Sequence, residues 1–298
     1  MKLLCIGRSG QVARALAERS AASDVICNCL GRPDLNLLLD DDIASALDAQ
    51  VPNLVVNAAA YTNVDGAETD RDAAFALNTT AAGTLARLCA ERAIPLVHLS
   101  TDYVFDGSGD RAWREADIAE PINVYGSSKL AGEHAVRAAG DQHIILRTSW
   151  VYSPFGANFV KTMLRLADER GSASVVNDQI GSPTSAFEIA DVILQIARHI
   201  SAQPKTTAYG TYHFAASGFV SWADVAAFIF EIYEQRLGCK IELKSIPTSD
   251  YPTPADRPRN SRLNTTKITE EFGVEPEDWP LHLRATVDRL LDERVSTP

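Results

Sequence analysis

The chain has 298 residues, of which 46% are hydrophobic and 22% are charged, a composition that suits one large core or one core with a smaller lobe. Its net charge of −11 argues against a nucleic-acid partner, because binding a phosphate backbone needs a basic surface. Residues 1–7 are too few for the apolar part of a signal peptide, and there is no run of 18 apolar residues. We therefore expect a cytoplasmic protein with no membrane partner.

Short apolar runs alternate with helical patterns along the first half of the chain. The clearest helical pattern is the alanine-rich stretch 73–92. The predicted strands are residues 2–6, 25–30, 54–56, 95–99 and 144–148. This alternation predicts an α/β fold with a Rossmann-like, doubly wound parallel sheet, in which the loops after the strands form one ligand-binding edge.

A glycine-rich turn joins the first predicted strand to the first predicted helix. Gly7, Gly10 and Ala13 have the spacing of a dinucleotide fingerprint: a tight turn, a close approach of backbone to pyrophosphate, and close packing of helix on strand. A plain tight turn is the alternative. We predict that this turn binds a cofactor through Gly7, Arg8, Ser9, Gly10, Gln11 and Val12.

Two arginines bear on the choice of cofactor. Arg8 lies in the turn and Arg32 follows the second strand, where a ribose 2′-phosphate would lie. They favour NADPH, with NADH as the alternative, although both side chains could also be solvated surface arginines.

Cys27 and Cys29 alternate along the second strand, which places both on one face of a buried strand as reduced thiols rather than in a metal site. The run Asp40, Asp41, Asp42 is better explained as a helix N-terminus, where the helix dipole favours negative charge. We expect no bound metal.

Small and hydroxyl-bearing residues follow the third and fourth strands. Ala58, Ala59 and Ala60 leave room for a nicotinamide ribose, or alternatively only allow close packing. Ser100 and Thr101 end the fourth strand at the ligand-binding edge, where a hydroxyl can hydrogen-bond a substrate carbonyl. The sequence leaves open which of the two does so.

Tyr125 and Lys129 are four residues apart and share one face of a predicted helix. An ammonium about 4 Å from the phenol, at an effective dielectric near 20, would favour phenolate by roughly 4 kcal/mol, or about three pKa units. We therefore expect the pKa of Tyr125 near 7, as suits a general acid. The spacing also occurs on ordinary amphipathic helices. With Thr101, the pair forms a Ser/Thr-Tyr-Lys set in which the phenol donates a proton as hydride arrives.

The alternation loosens after residue 150. We expect helices at 158–170, 187–200 and 221–236, a short strand near Val175, and an ordered proline-rich loop at 247–254. The predicted domains are an NADP-binding Rossmann domain of residues 1–150 and a smaller substrate-binding lobe of residues 151–298, some segments of which could return to the first domain.

Seven motifs together resemble the extended short-chain dehydrogenase/reductases. The motifs are residues 7–12, 57–65 with Glu68, 100–107, 125–133, 147–152, 177–184 and 257–263. Those at 177–184 and 257–263 resemble, more narrowly, the group that acts on the C4 ketone of dTDP-4-dehydro-β-L-rhamnose.

The resemblance implies reduction of that ketone by NADPH to give dTDP-β-L-rhamnose, the last step of dTDP-L-rhamnose biosynthesis. It implies that Tyr125 donates the proton, that Lys129 modulates it and binds the ribose, and that Thr101 contacts the carbonyl. Where relatives carry an acid that meets the adenine, this chain has Asn36, which brings no charge. The remaining cofactor set is Arg32, Asn36, Ala58, Ala59, Ala60, Ser100, Tyr125 and Lys129. The implied substrate set is Val64, Thr101, Asp102, Tyr103, Trp150, Asn177 and Arg257.

Two alternatives stay open. One is another nucleotide-sugar reductase, epimerase or dehydratase of this fold, since Asp102 beside Thr101 would suit a dehydratase. The other is a non-catalytic NADP-binding regulatory subunit, which an intact Thr101, Tyr125 and Lys129 set disfavours. The expected partner is a nucleotide-sugar substrate, and the expected state is a monomer or a homodimer.

Overall fold

A computed structural model of the chain describes residues 1–203 and 206–295. The strands are β1 (Lys2–Ile6), β2 (Ile26–Leu30), β3 (Leu54–Asn57), β4 (Leu96–Thr101), β5 (His143–Thr148), β6 (Val151–Tyr152), β7 (Ser172–Val176), β8 (Ile180–Gly181), β9 (Thr184–Ser185), β10 (Gly210–His213), β11 (Val220–Ser221) and β12 (Glu242–Ile246). The helices are α1 (Gln11–Ala21), α2 (Asp40–Gln50), α3 (Val64–Thr69), α4 (Arg71–Phe75), α5 (Ala82–Glu91), α6 (Val124–Ala139), α7 (Phe159–Arg170), α8 (Ala186–Ala202), α9 (Trp222–Leu237), α10 (Thr266–Phe272) and α11 (Trp279–Val295).

Within the described residues, six strands form one parallel sheet in the order β10-β5-β4-β3-β1-β2. The chain passes from β1 outward to β2 on one side and to β3, β4 and β5 on the other. Ligands of open α/β sheets bind outside the carboxyl ends of the strands at such a switch point. The predicted Rossmann-like, doubly wound parallel fold is confirmed.

The central strands are buried on both faces, which explains their nearly continuous apolar sequences. In β1, Leu3 and Cys5 belong to a core shared with α1 and α8, whereas Leu4 and Ile6 belong to a second core shared with α2 and α5. All four side chains are almost fully buried. The two-residue period of the strand therefore divides β1 between the two layers.

The later part of the chain contributes to both the main sheet and a separate lobe. Strand β10 pairs with β5 in parallel, and α8 packs against α1. A third core lies among α7, α9, α11 and the β7–β12 pair, which together we call the second lobe. The domain boundary at residue 150 stays a prediction, and residues 204–205 and 296–298 of the predicted second domain lie outside the described residues.

Two expectations about individual segments can be compared with the structure. Asp40, Asp41 and Asp42 do form the first turn of α2, as predicted. Cys27 and Cys29 share one face of β2, with their Sγ atoms 3.8 Å apart, but the prediction of a buried strand is wrong. Strand β2 is an edge strand, so both thiols are only half-buried. Across residues 1–203 and 206–295, none of the helices has the length and apolarity needed to span a membrane.

Candidate active site

A cavity of about 990 Å³ opens at the carboxyl edge of the sheet, beside the switch point. The predicted cofactor residues that line it are Gly7, Arg8, Ser9, Gly10, Gln11, Val12, Arg32, Asn36, Ala58, Ala59, Ala60, Ser100, Tyr125 and Lys129. On the opposite side the wall includes Trp150, Asn158, Phe159 and Trp222. Of the predicted substrate residues, Trp150 lines this cavity, whereas Val64, Thr101, Asp102, Tyr103, Asn177 and Arg257 are not among its lining residues.

The glycine turn approaches the end of β3 closely. Gly7 has a φ of +126°, which side-chain-bearing residues rarely adopt, and an added Cβ would lie 3.0 Å from the Ala58 backbone. Gly10 precedes α1, whose N-terminus borders the cavity. The free N–H groups of a helix N-terminus suit a pyrophosphate.

The Gln11 side chain connects the turn to the segment after β5 instead of pointing a free amide at the cavity. Its Oε1 accepts hydrogen bonds from Ser153 Oγ at 2.8 Å and from Asn158 Nδ2 at 3.0 Å, and its Nε2 donates to the Val151 carbonyl at 3.3 Å. Gln11 thus couples the start of α1 to the start of α7, and what it offers a cofactor is its backbone.

The cavity lining also includes Arg8, Arg32 and Asn36, which the sequence assigned to the 2′-phosphate and the adenine of the cofactor. Arg8 Nη1 pairs with Asp34 at 2.5 Å, and both side chains are more than half exposed. An exposed pair of this kind contributes little to stability, so a bound phosphate can replace the carboxylate at small cost. Asn36 Oδ1 accepts the Leu38 N–H at 3.2 Å, which occupies part of its capacity to bind an adenine.

Helix α6 places Tyr125 and Lys129 at the ends of β4 and β5. Asn123 caps the helix by accepting the Gly126 N–H at 2.7 Å. Gly126 lies against the Tyr103 carbonyl so closely that no side chain could fit between them. Lys129 is fully buried and donates from Nζ to the Leu99 carbonyl at 2.7 Å. The first turn of α6 is thereby held on the loop that follows β4.

Three side chains form a hydrogen-bonded row beside the cavity. The Tyr125 phenol hydrogen-bonds Thr101, and Thr101 Oγ1 donates to Asp102 Oδ1 at 3.1 Å. Burial raises the pKa of Asp102 to about 6, against the lowering effect of hydrogen bonds from Ser261 and Thr101. The other oxygen, Asp102 Oδ2, is buried without a hydrogen-bond partner among the described residues. The row therefore ends on a carboxyl group that is costly to ionise.

The expectation that Lys129 lowers the pKa of Tyr125 to about 7 is wrong. Burial raises the pKa of the phenol to about 12, and the charge of Asp102 adds to the rise, while the bond with Thr101 lowers it in part. The Lys129 ammonium is directed at a backbone carbonyl, so its charge does not set the phenol's pKa as the spacing suggested. Tyr125 is a neutral phenol at neutral pH.

The hydrogen bonds of Ser100 and Thr101 distinguish the two hydroxyls that the sequence left equivalent. Ser100 Oγ donates its single proton to Glu133 Oε1 at 2.6 Å. Burial by itself would raise the pKa of Glu133, but hydrogen bonds and charge from Arg147 outweigh it and lower the pKa to about 2, so the acceptor is a carboxylate. Ser100 is thus held by a short bond to a carboxylate, whereas Thr101 makes a longer bond, 3.1 Å, to Asp102, so Thr101 is the less tightly held of the two hydroxyls. Sequence reasoning assigned Glu133 no role, although its spacing from Lys129 was a usable signal.

Trp150 is fixed by an aromatic stack that sequence reasoning also missed. The residue has a left-handed backbone with φ of +50°, a costly conformation for a side-chain-bearing residue. Its ring stacks on Trp222 with centroids 3.7 Å apart, and Trp222 contacts Phe159 at 4.4 Å. No local pattern indicates that residues 72 positions apart would stack.

The other predicted substrate residues lie at different distances from the cavity. Tyr103 meets the Tyr125 ring edge-on, with centroids 5.5 Å apart, and Val64 begins α3 nearby. Arg257 donates to Asp65 Oδ2 at 2.8 Å and to the Ala255 carbonyl at 2.9 Å. These bonds hold the predicted nucleotide segment onto α3.

Asn177 follows β7 and is exposed, outside the residues that line the cavity. Its backbone N–H donates to the Ile246 carbonyl at 2.9 Å. The assignment of all these residues to the substrate stays a prediction.

The chain is similar to known proteins over nearly its whole length. A family model described as the RmlD substrate binding domain matches residues 1–292. The chain is 44% identical over 293 residues to a dTDP-4-dehydrorhamnose reductase of Sinorhizobium fredii, with 98% of this chain and 99% of that protein covered. It is 41% identical over 310 residues to the dTDP-4-dehydrorhamnose reductase of Escherichia coli strain K12, with 100% and 99% covered.

Solved structures give the same result. The chain superposes on a dTDP-4-dehydrorhamnose reductase of Clostridium acetobutylicum with a TM-score of 0.90 and 32% identity, covering 98% of this chain and 100% of that one. A Bacillus anthracis dTDP-4-dehydrorhamnose reductase, solved in complex with NADP, gives a TM-score of 0.85 at 31% identity, covering 98% and 99%.

Proposed function

The chain belongs to the dTDP-4-dehydrorhamnose reductase family, and from this premise we propose that it reduces the C4 ketone of dTDP-4-dehydro-β-L-rhamnose with NADPH. The product is dTDP-β-L-rhamnose, and the reaction is the last step of dTDP-L-rhamnose biosynthesis. The chain is thus an NAD(P)H-dependent oxidoreductase that acts on a nucleotide sugar. The observation that carries the proposal is the neutral Tyr125 phenol, joined to Thr101 at the end of β4 and bordering the same cavity as the dinucleotide turn.

The residues of the cavity fit NADPH. Only glycine fits at position 7, because a Cβ there would meet the Ala58 backbone, so the turn lies tightly against the end of β3. The N-terminus of α1 borders the cavity, and Arg8 and Arg32 also line it. We assign the pyrophosphate to the turn and the 2′-phosphate to the two arginines. When bound, NADPH supplies the hydride for the ketone.

Tyr125 is the proposed proton donor. With a pKa of about 12 the phenol keeps its proton at neutral pH, and the alkoxide formed from the ketone is more basic, since its conjugate acid has a pKa near that of water, roughly 16. The transfer from phenol to alkoxide is therefore favourable by about four pKa units. Thr101 supplies a second hydrogen bond to the oxygen, and Lys129 is assigned to the cofactor ribose.

We assign the sugar to the surroundings of Tyr125 and Trp150. Trp150 lines the cavity, the Tyr103 ring meets the Tyr125 ring edge-on, and Val64 begins α3. Arg257 and Asn177 are assigned to the diphosphate end. A cytoplasmic location and a monomeric or homodimeric state, both expected from composition and resemblance, belong to the same proposal.

The test is sugar-dependent NADPH oxidation by the parent protein and by Tyr125→Phe. Removing the phenol proton should lower kcat by roughly 10² to 10⁴ and leave NADPH binding unchanged. Tyr212→Phe is the matched control, because Tyr212 lies in β10 and its buried hydroxyl donates to the Ala208 carbonyl, away from the cavity lining. This variant should keep parental turnover. Parental turnover in Tyr125→Phe would refute the assigned acid. If the parent binds NADPH but shows no oxidation with this sugar, another keto-sugar or a regulatory role is favoured.

A further inference from the structure

Glu133 is a fully buried carboxylate below the reactive edge of the sheet. Its Oε1 accepts from Ser100 Oγ at 2.6 Å and from Arg147 Nε at 2.8 Å. Its Oε2 accepts from Arg147 Nη2 at 2.6 Å and from Arg137 Nη2 at 2.8 Å. One carboxylate thereby joins α6 to β4 and β5 through four hydrogen bonds.

The same carboxylate lies next to Lys129. Glu133 follows Lys129 by four residues on α6, so the two side chains project from one face of the helix. Lys129 Nζ binds the Leu99 carbonyl and Glu133 binds the hydroxyl of Ser100, which is the next residue of β4. Both charged groups therefore reach the same strand end, and because both are buried, bulk solvent screens their interaction little.

Burial opposes the charge of Lys129. It lowers the pKa of the lysine to about 8, and the charge of Glu133 raises it again. Two histidines in this region stay neutral because burial lowers their pKa, to about 3 for His213 and well below the usual value for His98. The titratable and charged groups that face Lys129 and Glu133 are Tyr125 and Arg137 on α6, His98 on β4, Asp102 after β4, Arg147 on β5, and His213 on β10.

We propose that Glu133 is a positioning residue of the reduction, an inference that rests on the proposed function. Its carboxylate keeps Lys129 in the ammonium form at the pH where the enzyme works, and it holds the Ser100 hydroxyl away from the ketone so that Thr101 alone meets the substrate oxygen. A neutral lysine would lose the charge with which Lys129, in the proposed function, binds the cofactor ribose. Glu133 touches neither reactant and acts through Lys129 and Ser100.

The first measurement is the titration of Lys129 in the cofactor-free protein. Protein labelled with ¹³C at lysine Cε gives one resonance per lysine, and the Lys129 signal is identified by its loss in Lys129→Arg. Glu133→Gln keeps the size of the side chain and an acceptor for Ser100 but removes the charge. The i,i+4 spacing on a helix places the two charges on the order of 6 Å apart. At an effective dielectric near 20, and with Arg147 already offsetting part of the field, the midpoint should fall by about one pH unit.

The same shift should appear in the reaction. The alkaline limb of kcat/KM should move down by about one pH unit in Glu133→Gln, which at pH 8 reduces the ammonium fraction of Lys129 about five-fold. A residue that only stabilised the fold would lower activity equally at every pH. An unchanged Lys129 midpoint in folded Glu133→Gln would overturn the proposal.

Arg137→Met gives a test in the opposite direction and covers the case in which Glu133→Gln does not fold around the buried Arg147. The Arg137 side chain is 35% exposed and supplies the outermost ion pair to Glu133. Its removal deletes a positive charge near Lys129 and leaves the carboxylate less neutralised. In Arg137→Met the titration midpoint of Lys129 should therefore rise by a fraction of a pH unit, and kcat at the optimal pH should stay unchanged. A midpoint that stays the same or falls would overturn the proposal.

The proposed function and the role of Glu133 can be refuted separately. The ¹³C titration uses neither sugar nor cofactor, so it reports on Glu133 and Lys129 whatever the substrate is. Absence of sugar-dependent NADPH oxidation in the parent protein would refute the proposed function while leaving the titration result intact. Activity in the parent with unmoved titrations in both variants would refute the role of Glu133 alone.

Discussion

Replacing Gly181 with alanine is expected to displace Trp150 and so test the aromatic wall of the site. Gly181 ends β8, which pairs with β11 immediately before Trp222. An added Cβ would lie 2.6 Å from Trp150 Cε2 and 2.9 Å from Cζ2. Because carbon atoms in contact are normally 3.5–4.0 Å apart, the indole would have to move by roughly 1 Å.

The surroundings of Trp150 determine the size of the effect. Its ring already stacks on Trp222 at 3.7 Å, and Trp222 is held in turn by Phe159, so the stack has little room to adjust. Overpacking of this kind costs about 1–3 kcal/mol of unfolding free energy. If Trp150 contacts the sugar, a 1 Å displacement should lower kcat/KM for the nucleotide sugar by up to about 10², with the KM for NADPH unchanged.

The assay combines urea unfolding with steady-state kinetics, and Gly171→Ala is the control. Gly171 ends α7 with φ of +63°, and an added Cβ there would meet no atom within 4 Å. Backbone strain should cost this variant about 1–2 kcal/mol without touching the cavity. Equal losses of stability with a loss of kcat/KM in Gly181→Ala alone would support the role of Trp150. A folded Gly181→Ala with parental kcat/KM for the sugar would refute it.

Two further predictions concern pH and the nucleotide segment. Burial raises the pKa of Glu188 to about 7 from 4.5, so its contribution to stability is complete below about pH 4.5 and is lost as the pH rises through 7. Glu188→Gln retains a side chain that can cap the Ser185 N–H. Measured by urea unfolding, the unfolding free energy of Glu188→Gln relative to that of the parent should increase by about 2 kcal/mol between pH 5 and pH 8. A difference that stays constant with pH would contradict this. Asp65→Asn removes the charged partner that holds Arg257. The KM for the nucleotide sugar should therefore rise several-fold, while the Kd for NADPH stays unchanged. An unaltered KM would show that the Asp65–Arg257 pair does not position the segment that carries Arg257.

The sequence determined the elements whose signals are local. The glycine turn, the strands of the first half and the Tyr125 and Lys129 spacing follow from backbone geometry over fewer than ten residues, and the structure has all of them. The order of helices and strands was then enough to predict the parallel sheet and its ligand-binding edge.

The tertiary structure decided the chemistry of the site, because burial and electrostatic partners depend on residues far apart in the chain. Spacing alone suggested a phenol with a lowered pKa, whereas burial and Asp102 raise the pKa of Tyr125. Ser100 and Thr101 differ because Glu133, 33 residues after Ser100, holds the Ser100 hydroxyl at 2.6 Å, whereas Thr101 makes a longer bond, 3.1 Å, to its neighbour Asp102. The stack of Trp222 on Trp150 likewise joins elements that meet only when the second lobe packs against the sheet. Periodicity records which face of an element is buried, but not which distant side chain will lie against it.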